Sequence, residues 1–146
     1  MPKIKLNILC LMSAFLSLWA DRTPLYVNVE MNANGATLMQ YGTGRADRTF
    51  FTEEQIRICQ PKAVIEENRW KIRFFLPLEL LEEIGGTIPQ TSGTKIACNF
   101  YKVCEGGNAE QIHYASYAPV DVPKPDFHRP EFFSTGILKN NLTQGE

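Results

Sequence analysis

Histidine is scarce in this 146-residue chain, which has only His113 and His128, and none of its four cysteines forms a Cys-x-x-Cys pair. A zinc site therefore lacks its usual ligand spacing. No charge of one sign dominates: 15 Lys and Arg face 16 Asp and Glu, for a formal net charge of -1. Without a basic stripe interleaved with aromatics, nothing draws the chain towards nucleic acid. No Gly-x-Ser-x-Gly, Walker loop or dinucleotide fingerprint occurs, so the common nucleophile and phosphate-cradling devices are missing. The apolar run from Ile8 to Trp19 is too short for a stable membrane span. Internal repeats and low-complexity tracts are absent as well.

The remaining composition is that of one globular domain, with 44% hydrophobic and 21% charged residues. A chain of this length can bury a core without staples. Cys98 and Cys104 lie six apart on one expected strand. They share a face roughly 20 Å apart along it, whereas a disulfide needs Cα atoms within about 7 Å. The expectation is four free, mostly buried thiols, including Cys10 and Cys59.

Two readings stand for the N-terminus. Lys3 and Lys5, the Ile8–Trp19 run and then Ala20-Asp21 have the shape of a secretory signal. Equally, Ser13 to Leu18 reads as a buried strand turning at Asp21-Arg22-Thr23-Pro24. Residues 1–20 as a signal would make the product secreted or periplasmic; the strand reading leaves it cytoplasmic. Asn141-Leu142-Thr143 matches a glycosylation sequon, a tripeptide too short to carry weight.

Further along, Leu25, Val27, Val29 and Met31 alternate with Tyr26, Asn28 and Glu30, the pattern of a half-buried strand. Asn32-Ala33-Asn34-Gly35 supplies a turn, and Ala36 to Tyr41 the return strand. Thr52-x-x-Gln55 predicts a capping box opening a short helical turn. Asn68 to Leu76 reads as a strand with Trp70 in the core. Pro77 starts a helix that stops at Gly85-Gly86. Lys95–Cys104 and Ile112–Ala118 predict another strand pair, and the proline-rich tail from Pro119 is irregular. Strands between turn signals, with two short helical insertions, predict a mainly β, antiparallel sandwich.

Chemistry is sparse. Glu53-Glu54, Glu66-Glu67 and Glu82-Glu83 are sequence neighbours that face different ways, whereas glycoside hydrolysis needs two carboxylates flanking one bond. Cys104 with His113 lacks a third member. Binding residues are better represented. Saccharides are held by aromatic faces, by the planar donors of Arg and by amides and carboxylates. The candidates are Arg45, Asp47 and Arg48, then Asn99, Tyr101 and Lys102, then Tyr114, Tyr117, His128 and Arg129.

Several stretches carry a family resemblance: Tyr26 to Asn32, Gly42-Thr43-Gly44-Arg45 with Arg48, Trp70-Lys71-Ile72 leading to Phe75-Leu76-Pro77, Asn99 to Lys102, Tyr114 to Pro119 and Pro125 to Phe133. In order and rough spacing they resemble carbohydrate-binding module family 9-like proteins over about Leu25 to Leu138. Phe127-His128-Arg129-Pro130-Glu131 is the most specific run. The resemblance implies a DOMON-like, immunoglobulin-like β-sandwich at 25–138, preceded by an apolar segment at 1–24 and followed by a polar tail at 139–146. It also implies non-catalytic binding of a mono- or oligosaccharide in a carbohydrate-catabolic setting, alongside glycan-degrading enzymes. Arg45, Arg48, Asn99, Tyr101, Lys102, Tyr117, His128 and Arg129 are the candidate sugar contacts. No cofactor is implied, and nothing in the sequence supports calcium. Two departures stand out: Tyr117 occupies a position where the family commonly has Trp, and the strands expected ahead of Leu25 are foreshortened. A degenerate copy without binding activity and a small glycoside hydrolase using Glu30, Asp126 or Glu131 are the alternatives.

Overall fold

The computed structural model describes residues 10–19, 24–89, 92–106 and 109–139. Lys3, Lys5, the Ala20-Asp21 junction, Arg22 and Thr23, Gly107-Asn108 and the sequon at Asn141 lie outside the described residues. The apolar N-terminal run forms β1 (Cys10–Ser17), which is antiparallel to both β2 (Tyr26–Asn32) and β7 (Lys95–Cys104). Outward from β2 come β3 (Thr37–Gly42) and β4 (Arg48–Phe50). On its far side β7 pairs with β8 (His113–Ser116) at one end and β9 (Ser134–Ile137) at the other. This seven-stranded sheet is opposed by a hairpin of β5 (Lys62–Ile65) and β6 (Trp70–Arg73) and by α1 (Glu53–Cys59) and α2 (Leu78–Gly85). The chain is thus an antiparallel β-sandwich with short helical insertions.

Local chemistry explains the elements. In the β2–β3 turn, Asn32 Oδ1 accepts from the amides of Asn34 and Ala36, both at 3.0 Å, and Gly35 takes a positive φ of 87°. The capping box of α1 is complete: Thr52 Oγ1 accepts from Gln55 N at 3.1 Å, while Thr52 N donates to Gln55 Oε1 at 2.9 Å. Helix α2 ends where Gly86 turns to φ 91°. Trp19 packs over its last residue so closely that a Cβ on Gly85 would lie 2.4 Å from the indole.

One face of the sheet carries the main core. Val27, Val29 and Met31 of β2 and Met39 of β3 bury against Cys59, Leu80, Leu81 and Ile88, with Ala63 and Ile72 of the hairpin packed alongside. Each such side chain contributes about 1.5–3 kcal/mol through removal from water. The opposite face has a smaller cluster of Phe15, Tyr26 and Tyr101, covered by Val120, Phe127 and Phe133 of the C-terminal segment. The Phe127–Phe133 run therefore closes the domain.

Four expectations change. Cys10 lies directly opposite Cys104 in the β1–β7 register and the two form a disulfide, leaving Cys59 and Cys98 as free, buried thiols. Cys98 and Cys104 stand apart along β7 and do not pair, and no local spacing could reveal a partner 94 residues away. Strand β2 is buried on both faces, since Tyr26 and Asn28 are as inaccessible as Val27; the C-terminal segment covers the side that its polar residues assign to water. The strand expected over Asn68–Leu76 is ordered as strand only over Trp70–Arg73. Trp70 itself is half-buried and outside both clusters, because it pairs with Ile65 at the exposed end of a two-stranded sheet.

Candidate functional site

Strand register decides which side chains share a face. Gln40, Asn28, Phe15 and Asn99 stand directly across from one another on β3, β2, β1 and β7. Glu30, Ser13 and Tyr101 form the next row. These rows floor the side of the sheet that the C-terminal segment covers only in part. Where cover is missing, a cleft of about 230 Å³ opens, lined by Ser13, Phe15, Glu30, Arg45, Glu105, Tyr114, Asp126, Phe127 and His128, among others. A second depression, between β8 and the C-terminal segment, shares Tyr114, Pro125, Asp126 and Phe127 with it.

The walls are held by a dense set of contacts. Tyr101 stacks on Phe127 with centroids 4.2 Å apart, and Phe15 meets Tyr101 edge-on at 4.8 Å. Tyr26 Oη and His128 Nδ1 are 2.7 Å apart. Burial, with the charges of Arg48 and Arg45 nearby, pulls the imidazole down to about 4. His128 is therefore neutral at pH 7 and shares this hydrogen bond with the Tyr26 hydroxyl. Asp126 braces the loop: its carboxylate accepts from Arg129 Nε at 2.9 Å and from His128 N at 3.1 Å. Burial alone would raise the Asp126 carboxyl, but these donors and the Arg45 and Arg129 charges outweigh it and hold it below the usual range. Glu30 goes the other way. Burial pushes its carboxyl up, against the hydrogen bond from Asn28 Nδ2 at 3.0 Å and the nearby Arg48 charge. Tyr114, on the far wall, donates to Glu105 Oε1 at 2.8 Å.

Gly42 has a clear role here. A Cβ at this position would meet the Asp47 carbonyl oxygen at 1.7 Å, and Arg48 lies just beyond. The opening lets Arg48 reach across β3, donate to Asn28 Oδ1 and lie 4.3 Å above the Tyr26 ring.

The candidate residues separate into three groups. Arg45, 70% exposed and 3.7 Å from Asp126, lines the cleft with His128. Arg129 pairs with Asp126 and with Glu131 at 3.3 Å and lines a third depression, with Pro24, Thr43 and Gly44, while Arg48 lies over the Tyr26 ring. Asn99 and Tyr101 are buried supports. Asn99 clamps Ala118 by donating to its carbonyl at 3.1 Å and accepting from its amide at 2.8 Å. Burial pushes the Tyr101 phenol far above its ordinary range. Lys102 falls on the opposite face of the sheet, as does Phe100, against which the exposed Tyr117 packs edge-on at 6.1 Å. Ser13 and Glu105 were not singled out from sequence; the Ser13, Phe15, Ser17 alternation inside the apolar run is the signal that places Ser13 on this face.

Among the described residues, no group of three or more His, Cys, Asp or Glu is placed to hold a metal ion, and no helix is long and apolar enough to cross a membrane. No curated protein sequence matches the chain. A candidate carbohydrate-binding protein from Bacteroides uniformis ATCC 8492, known from a crystal structure, shares the fold at a TM-score of 0.67 and 23% identity. The similarity covers 88% of this chain and 60% of that one, so the present sequence spans less than two thirds of its length. The model of carbohydrate-binding family 9 matches residues 10–138, from the first residue of β1 to just past β9. The chain belongs to carbohydrate-binding family 9, a family of non-catalytic binding modules.

Proposed function

We propose that the chain binds a saccharide in the cleft between β1, β2, β7, β8 and the Pro125–His128 loop. One observation carries this reading: a single concavity brings the Tyr114 ring together with Arg45, Glu30, Glu105 and Asp126. Sugars offer apolar C–H faces and rings of hydroxyls, which call for an aromatic surface beside mixed donors and acceptors. At about 230 Å³ the cleft is smaller than the roughly 300 Å³ at which drug-sized pockets begin, and suits a unit of one or two rings. Family membership supports the same ligand class. A role in carbohydrate catabolism, with glycan-degrading enzymes as partners, is part of this proposal and draws on the family alone.

Calorimetric titration of the folded chain with neutral mono- and oligosaccharides tests it. Tyr114→Ala, at a 42% exposed position, should weaken binding about tenfold without unfolding the protein. No binding to any saccharide by a chain that melts cooperatively would refute the reading and leave a family member without binding activity.

A second reading has one observation in its favour. Glu30 and Asp126 line the same cleft, and their carboxyls are driven in opposite directions, Glu30 up by burial and Asp126 down by its donors, as in sites that pair an acid with a base. Hydrolysis of an aryl glycoside that is lost in both Glu30→Gln and Asp126→Asn would establish it; activity absent from the wild type would remove it.

A further inference from the structure

The face that carries the cleft continues past β2. Gln40 stands directly opposite Asn28, and Phe50 directly opposite Gln40, so the Phe50 ring shares the face of the cleft floor. The segment that covers Phe15, Tyr26 and Tyr101 does not cover this side: Phe50 is 65% exposed, and Leu38 and Gln40 are half-buried. A lone exposed phenylalanine ordinarily needs no explanation. This one ends a polar row. Asn28 Nδ2 donates to Glu30 Oε1 at 3.0 Å and to Gln40 Oε1 at 3.3 Å, fixing two acceptors side by side between the cleft and the ring. From β2 to β4 is two strand spacings, about 10 Å, which is more than a single sugar ring spans. On this strip the Glu30 carboxylate is balanced by the Arg48 guanidinium, which shares the face of Phe50 and donates to Asn28 Oδ1, so charge favours neither an anionic nor a cationic glycan.

We infer that the cleft is one subsite of a longer site, and that the ligand is a neutral oligosaccharide laid across β2, β3 and β4 with a ring stacked on Phe50. This rests on the saccharide reading above and adds to it a length and a charge class.

The test titrates the intact chain and Phe50→Ala with a panel of neutral hexoses and pentoses and their linked dimers, trimers and tetramers. Wild-type affinity should rise about tenfold from monomer to trimer. Phe50→Ala should lose that gain while binding monosaccharides as the wild type does. Thermal melts control for folding, and removal of so exposed a ring leaves both buried clusters intact. Equal wild-type affinity for monomers and oligomers, or a Phe50→Ala protein that keeps the gain, overturns the longer site but leaves the cleft reading standing. Tighter binding of uronic-acid oligomers overturns the neutral class. No saccharide binding at all takes down both.

Discussion

Reduction of the Cys10–Cys104 disulfide is a direct perturbation of this sheet. The bond joins β1 to β7 and closes a loop with a sequence separation of 94. In the chain-entropy model, crosslinking a loop of that size removes about 4.7 kcal/mol of unfolded-state freedom at 25 °C. Native contacts between β1 and β7 survive reduction, so the loss falls mainly on the unfolded reference. For a domain of this size each kcal/mol moves Tm by roughly 2–4 °C, which puts the expected drop at about 9–19 °C. The assay is a pair of thermal melts with and without phosphine reductant, with mass spectrometry after alkylation to count thiols. The oxidised protein should show two modifiable thiols after unfolding, Cys59 and Cys98, and the reduced protein four. A fully reduced chain that melts within about 2 °C of the oxidised one would refute the reasoning, as would four free thiols in a protein folded under oxidising conditions.

Gly85→Ala should destabilise by about 1–3 kcal/mol despite the helix preference for alanine, because the new methyl meets the Trp19 indole; urea midpoints measure it, and a stabilised variant would contradict the packing. Asn99→Ala should cost about 2–3 kcal/mol by leaving the Ala118 amide and carbonyl without their buried partner, with faster hydrogen exchange at Ala118 as the local readout. His128 titrates near 4 when folded and near 6.5 when unfolded, so the unfolded chain binds its proton first as pH falls. Its contribution is complete above about pH 6.5 and is lost progressively down to pH 4. Urea midpoints should therefore fall across that window in the wild type and less steeply in His128→Phe; parallel slopes would exclude the imidazole as the cause.

What the sequence made legible was local. The β2–β3 hairpin was readable because Asn32, Asn34 and Gly35 set their turn through their own side chains and backbone. The start of α1 was readable because Thr52 and Gln55 satisfy each other three residues apart. Non-local pairing was hidden. Alternation in Tyr26, Asn28 and Glu30 assigns that face to water, yet Phe127 and Phe133, about a hundred residues later, bury part of it. The same gap explains the site. Asn99 is the polar strand residue that a ligand would use, but the Ala118 backbone already satisfies it. Asn99, Tyr101 and Lys102 cannot act together, since successive strand residues point to opposite faces and Lys102 stands apart from the other two.

The position of β1 between β2 and β7 also sets an order on synthesis. Strands β1 to β4 are consecutive in the chain and neighbours in the sheet, so this half can pair once residue 50 has emerged. The other edge of β1 has no partner until residues 97–104 are made. For that interval Ala14, Phe15 and Leu16 lie on an open, apolar strand edge, a template for pairing with another nascent chain. Contacts of such long sequence separation also form slowly. The step that exposes this chain to aggregation is therefore the wait for β7, and conditions that slow elongation between residues 50 and 97 should lower the soluble yield more than the same delay placed after residue 104.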